Sequence, residues 1–151
     1  NPERASGNLV GTEGNVLGAG VQQLDMTDIL GTTDHHEILN HPEIDLIDIC
    51  TATPNHLELA TAALATGKHV ICEKPLARTS AIARQIADAA RQAKGKFMTA
   101  MCLRFWPEWA WLKEAVAEQR YGQVLGVTIR RVASMPRGWY SNGELSGGAL
   151  L

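Results

Sequence analysis

The sequence predicts an α/β fold built on a parallel sheet, and three observations carry that prediction. Short β-branched apolar runs alternate with segments whose apolar residues recur at helical spacing. The connections between them are short, which favours right-handed βαβ units and a sheet covered on both faces. Capping and stop residues stand at the joints, so each boundary has a local chemical cause.

Taken in order, residues 1–33 are the least patterned. Gly7, Gly11, Gly14, Gly18 and Gly20 break any period, and only Val21 to Leu24 reads as a short strand. Thr33-Asp34 offers an N-cap for a short helix from His35 to Leu39, stopped near Pro42. Leu46 to Cys50 is an apolar run of the length and composition of a buried parallel strand. A helix follows over Asn55 to Ala65, capped by Asn55 or Thr53 and ended by Gly67, with Leu57, Ala60, Ala63 and Leu64 on one face. His69 to Cys72 is the next strand. Thr79 or Ser80 caps a helix carrying Ile82, Ile86, Ala87 and Ala90 and ending at Gly95. Phe97 to Cys102 is a third strand, and Pro107 with Glu108 suits the first turn of a third helix. Leu112, Ala115 and Val116 form its apolar face and Gly122 ends it. Val124 to Ala133 is again strand-like, and the tail from Met135 to Gly148 has the composition of a loop that lines something.

The 151 residues suit one domain or a domain plus part of another. A composition 45% hydrophobic and 20% charged is that of an ordinary globular protein. The net charge of -2 gives no basic face for nucleic acid, and no run approaches the ~18 apolar residues of a membrane span. Cys50, Cys72 and Cys102 are widely spaced in apolar runs, which argues against a disulfide framework and for buried thiols in a cytoplasmic protein. His35, His36 and His41 lack a carboxylate or cysteine partner at metal-ligand spacing, so no metal site is expected.

Ligands of open α/β sheets bind at the carboxyl ends of the strands, and three such ends stand out. Thr51-Ala52-Thr53-Pro54-Asn55-His56 joins a strand to a helix N-terminus, where free N–H groups favour an anionic or polyhydroxyl ligand; a plain capped turn would use the same residues. Glu73-Lys74-Pro75 follows the second strand. Pro75 biases Lys74 toward extended geometry, so the amine stands at the mouth of the sheet or simply forms a surface charge pair. Arg104, after the third strand, either binds an anion or cofactor amide or packs on the neighbouring tryptophans.

Together, Asp45 to Thr51, His56 and the run Gly67-Lys68-His69-Val70-Ile71-Cys72-Glu73-Lys74-Pro75-Leu76-Ala77 resemble the Gfo/Idh/MocA family of oxidoreductases. Arg104-Phe105, Pro107, Leu112-Lys113-Glu114 and Gly122-Gln123-Val124-Leu125-Gly126 match as well, so the resemblance spans about Thr33 to Leu151. It implies a Rossmann-type parallel sheet, incomplete in this chain, over residues 1–121. The start of an α+β open-sheet domain would occupy residues 122–151. It implies NAD or NADP and hydride transfer at a carbinol carbon of a sugar or polyol. Lys74 would be the catalytic lysine on the substrate hydroxyl. Glu73 and Pro75 would line the nicotinamide side, Thr51, Ala52, Thr53, Pro54, Asn55 and His56 would form the loop on the cofactor, and Arg104 would face it from the next strand end.

Ala52 stands where the family usually has proline, with Pro54 as a substitute source of stiffness. Gly14 to Gly20 does not follow a convincing strand, and the resemblance implies a glycine-rich phosphate turn upstream of Asn1 and a proton-transfer Asp and His just beyond Leu151. The chain alone is then expected to be inactive and the intact parent a homo-oligomer. A non-catalytic nucleotide-binding sensor or scaffold is the alternative reading of the same fold.

Overall fold

A computed structural model describes residues 29–130, 132 and 141–147. The expected strand at Val21 to Leu24 and the glycine-rich stretch lie outside these residues. The described chain opens with α1 (His35–Asn40), whose N-cap Asp34 accepts the His36 N–H at 2.9 Å. Then come β1 (Leu46–Ile49), a 3₁₀ turn (Thr53–Asn55), α2 (His56–Ala65), β2 (His69–Glu73), α3 (Ser80–Gln92) and β3 (Phe97–Ala100). A second 3₁₀ turn (Cys102–Phe105), α4 (Pro107–Ala117) and the short α5 (Gly143–Ser146) complete the order.

The three strands are parallel in the order β1-β2-β3, with Ile47 opposite Val70 and Val70 opposite Phe97. Steps in one direction with right-handed crossovers bring both connecting helices to one face, and α2 packs against α3, β2 and β1 there. Alternation along the strands points Ile47, Ile49, Val70, Cys72 and Phe97 into that layer, where Ala60, Ala63, Leu64 and Ile86 meet them. Ala60 and Ala63 are fully buried, so α2 lies close on the sheet, and the fully buried Ile86 contributes roughly 1.5–3 kcal/mol of hydrophobic stabilisation.

Most local expectations hold. Thr79 caps α3 by accepting the Ile82 N–H at 3.3 Å. Gly67 follows α2 in the left-handed region at φ 82°. Gly95 ends no helix, since α3 stops at Gln92; it is small because an added Cβ would sit 1.9 Å from the Lys68 carbonyl oxygen.

Four further expectations are corrected. Leu46 to Cys50 is not a buried strand: β1 is an edge strand among the described residues, and only Ile49 of it is buried. The sheet is covered on one face rather than two among those residues, leaving Leu46 and Met98 exposed on the other. The 124–130 segment forms no strand, because none of the described strands pairs with it; Leu125, Val127 and Ile129 are exposed. Similarly, only Ala115 of the expected α4 face is buried, with Leu112 and Val116 open.

Candidate functional site

The parallel register brings three chain reversals to one edge of the sheet. Ile49 pairs with Cys72, and Glu73 with Ala100. The carboxyl ends of β1, β2 and β3 and the segments that follow therefore lie side by side, and they contain Thr51–His56, Glu73–Pro75 and Arg104.

The first loop is built by a 3₁₀ turn that runs straight into α2. Asn55 N–H donates to the Ala52 carbonyl at 3.0 Å, with Pro54 inside the turn. Neither proposed cap acts through its side chain, because the 3₁₀ turn supplies the helical backbone that a cap would otherwise replace. Thr51, Pro54 and Asn55 are exposed, Ala52 is half-buried, and Thr53 and His56 are buried. The loop thus offers a ligand its Thr51, Pro54 and Asn55 surfaces, whereas Thr53 and His56 face inward.

His56 is 1% exposed, and its ring reaches only main-chain carbonyls in the described structure. Nδ1 lies 3.1 Å from the Pro75 oxygen and 3.2 Å from that of Leu76; Nε2 lies 3.1 Å from the Thr51 oxygen. These distances join the first loop directly to the second.

In the second loop, the Glu73 carboxylate accepts the Lys74 N–H at 2.9 Å, and the Lys74–Pro75 peptide is cis. The Lys74 side chain is exposed and Pro75 half-buried. A lysine at the mouth of the sheet can donate hydrogen bonds to a substrate hydroxyl. Arg104 is exposed on the 3₁₀ turn after β3. The exposed groups, one ammonium, one guanidinium and hydroxyl- and amide-bearing loop residues, suit a ligand rich in phosphate and hydroxyl oxygens.

The cysteines are all free, but only Cys72 is buried; Cys50 and Cys102 are exposed because they lie just past the ends of β1 and β3. Burial, then the neighbouring Cys50, Glu73 and Asp48, push the Cys72 thiol up to about 11, so it is held as an inert thiol. Desolvation and Asp48 raise Cys50 likewise.

Asp34, His35 and His36 do bring ligand-type atoms within 4.8 Å of one another, contrary to the sequence expectation. All three are exposed, and the carboxylate caps α1.

One element near the site was not anticipated. Helix α5 packs against the Thr53–Asn55 turn, with Asn142 as N-cap accepting the Glu144 N–H at 2.9 Å. Asn142-Gly143-Glu144 is a usable start signal for a helix; its packing partner, some 90 residues earlier in the chain, is not visible locally.

A parallel sheet with strand-end loops and an exposed lysine defines a nucleotide-binding α/β module. Residues 19–101 match the model of an oxidoreductase family with an NAD-binding Rossmann fold, and the chain belongs to this Gfo/Idh/MocA family. It is 42% identical over 96 residues to levoglucosan dehydrogenase of Pseudarthrobacter phenanthrenivorans, covering 62% of this chain and 24% of that protein. It is 33% identical over 120 residues to myo-inositol 2-dehydrogenase of Thermotoga maritima, covering 78% of this chain and 35% of that one. Among solved structures, levoglucosan dehydrogenase in complex with NADH and L-sorbose superposes with a TM-score of 0.67 at 33% identity, covering 79% of this chain and 33% of that one. The chain spans about a quarter to a third of the length of these relatives.

Proposed function

We propose that the intact protein is an NAD(P)-dependent dehydrogenase acting on a secondary hydroxyl of a sugar or polyol. The observation that carries the reading is Lys74: an exposed amine at the strand-end edge, on a turn joined to the neighbouring loop by His56. The carbohydrate class is supported by the relatives, which are named for levoglucosan and myo-inositol.

NAD or NADP, when bound, supplies hydride exchange at the nicotinamide. This chain's residues would do the rest. Thr51, Ala52, Pro54 and Asn55 form the surface against the cofactor, with Glu73 and Pro75 beside its reactive end and Arg104 at the third strand end. Lys74 orients the substrate hydroxyl and shares in removing its proton. Residues 122–151 open a second domain in this reading. Its support is the positive-φ Gly122 that closes the α4 region and the exposed apolar positions that follow.

The test is NAD⁺- and NADP⁺-dependent oxidation of levoglucosan and myo-inositol by the intact protein, followed at the nicotinamide absorbance, with and without Lys74→Ala. A loss in kcat of at least about 100-fold is expected, the scale for a positioned acid–base group. Near-normal turnover by the variant refutes the role of Lys74. Tight nucleotide binding without turnover on any carbohydrate favours a sensor.

A further inference from the structure

We infer that His56 is a positioning residue: a buried strap that fixes the Lys74 turn relative to the Thr51 loop. The inference rests on the proposed role of Lys74. Burying an imidazole is unfavourable unless its nitrogens are hydrogen-bonded, and an aliphatic or phenyl group would fill the same volume without that demand. All three of the ring's described neighbours are carbonyl oxygens, which only accept, so a hydrogen bond there is donated by the ring N–H, at Nδ1 or at Nε2 according to the tautomer.

The geometry divides by nitrogen. Nδ1 addresses Pro75 and Leu76, in the turn that carries Lys74, and Nε2 addresses Thr51. The turn from 74 to 79 has no helix or strand of its own. Its other described tie near Lys74 is local, from the Lys74 N–H to the adjacent Glu73 carboxylate. The described hydrogen bonds that fasten residues 74–78 to a distant part of the chain run to His56, 19 and 20 residues away. His56 is also the first residue of α2, which is packed on β1 and β2, so the strap is anchored in the core. A lysine on a four-carbon stem already has wide rotamer freedom. Freedom of its backbone as well would spread the amine over positions that do not match one substrate hydroxyl, and misplacement of about 1 Å can cost 100-fold in rate.

The side chains of Asn and Gln separate the two arms. The Asn amide nitrogen falls near the place of Nδ1 and keeps a donor toward Pro75 and Leu76. The Gln amide nitrogen falls near Nε2 and keeps one toward Thr51. In the intact protein, with NAD⁺ and levoglucosan or myo-inositol, His56→Phe is expected to lower kcat about 10- to 100-fold. His56→Asn should recover most of that loss and His56→Gln little. In a Lys74→Ala background the His56 variants should change kcat less than threefold further, because the group they position is gone. Independently of turnover, amide hydrogen exchange of the 73–78 peptide should accelerate in His56→Phe and His56→Gln and return toward the parent rate in His56→Asn.

Multiplicative losses for Lys74→Ala and His56→Phe, rescue by Gln rather than Asn, or unchanged exchange at 73–78 would each overturn the strap while leaving the role of Lys74 intact. Normal turnover in Lys74→Ala overturns both at once, and that single variant tells the two failures apart.

Discussion

The two ends of the parallel sheet use the same residue types in opposite ways. At the amino end, Lys68 is half-buried and its ammonium donates to the carbonyls of His41 at 2.7 Å and Ile44 at 2.6 Å. Beside it, His69 Nδ1 accepts the Lys96 N–H at 2.9 Å, and Gly95 lies against the Lys68 backbone. At the carboxyl end, Lys74 is exposed, as are Thr51 and Arg104. Five residues lie between the two lysines, yet one closes on the protein's own main chain and the other stays open. The difference teaches how to divide the run from Gly67 to Pro75: its first third holds the fold, and its last third equips the site. His56 is the exception that makes the carboxyl end usable, since it closes on carbonyls to keep Lys74 in place.

That division can be broken from the amino end. The largest effect on stability is expected from Gly95→Ala. The new Cβ would meet the Lys68 carbonyl oxygen at 1.9 Å, so backbone must move, at a cost on the order of 3 kcal/mol. A lowered urea midpoint would register it, and an unchanged midpoint would show that the α3–β3 connection yields easily. A smaller loss, about 1–2 kcal/mol, is expected from Lys68→Met, which keeps the apolar stem and deletes two charge-assisted donors. Smallest of all is the stability change from Lys74→Ala, within about 0.5 kcal/mol, because an exposed side chain away from packing contributes little.

The sequence made some of this legible because its causes are local. Thr79 announces α3 through a side-chain cap, Gly67 ends α2 in a conformation that glycine reaches without strain, and the apolar spacing identifies the buried face of α2 and, on α3, Ile86 and Ala90. Other features depend on partners that local pattern does not encode. The residues of β1 read as a buried parallel strand, but its edge position among the described residues is a property of neighbours rather than of composition. One-sided cover among the described residues follows from the strand order, which no single strand contains. Val124 to Ala133 alternates like a strand, yet a strand exists only where another pairs with it. In the site, the exposed position of Lys74 was readable from Glu-Lys-Pro at a strand end. The inward turn of His56 was not, because the carbonyls that hold it belong to loops on either side of α2. The Asp34 cap, by contrast, was legible in Thr33-Asp34 just ahead of the helical run.

The central claim is that the sheet's two ends separate stability from chemistry, and two variants measured side by side test it most directly. Lys68→Met and Lys74→Ala in the intact protein should each be followed by urea unfolding and by NAD⁺-dependent oxidation of levoglucosan or myo-inositol. The account predicts a lowered midpoint with kcat within about threefold for Lys68→Met, and an unchanged midpoint with kcat down at least about 100-fold for Lys74→Ala. Loss of turnover in Lys68→Met at full stability, or full turnover in Lys74→Ala, would contradict it.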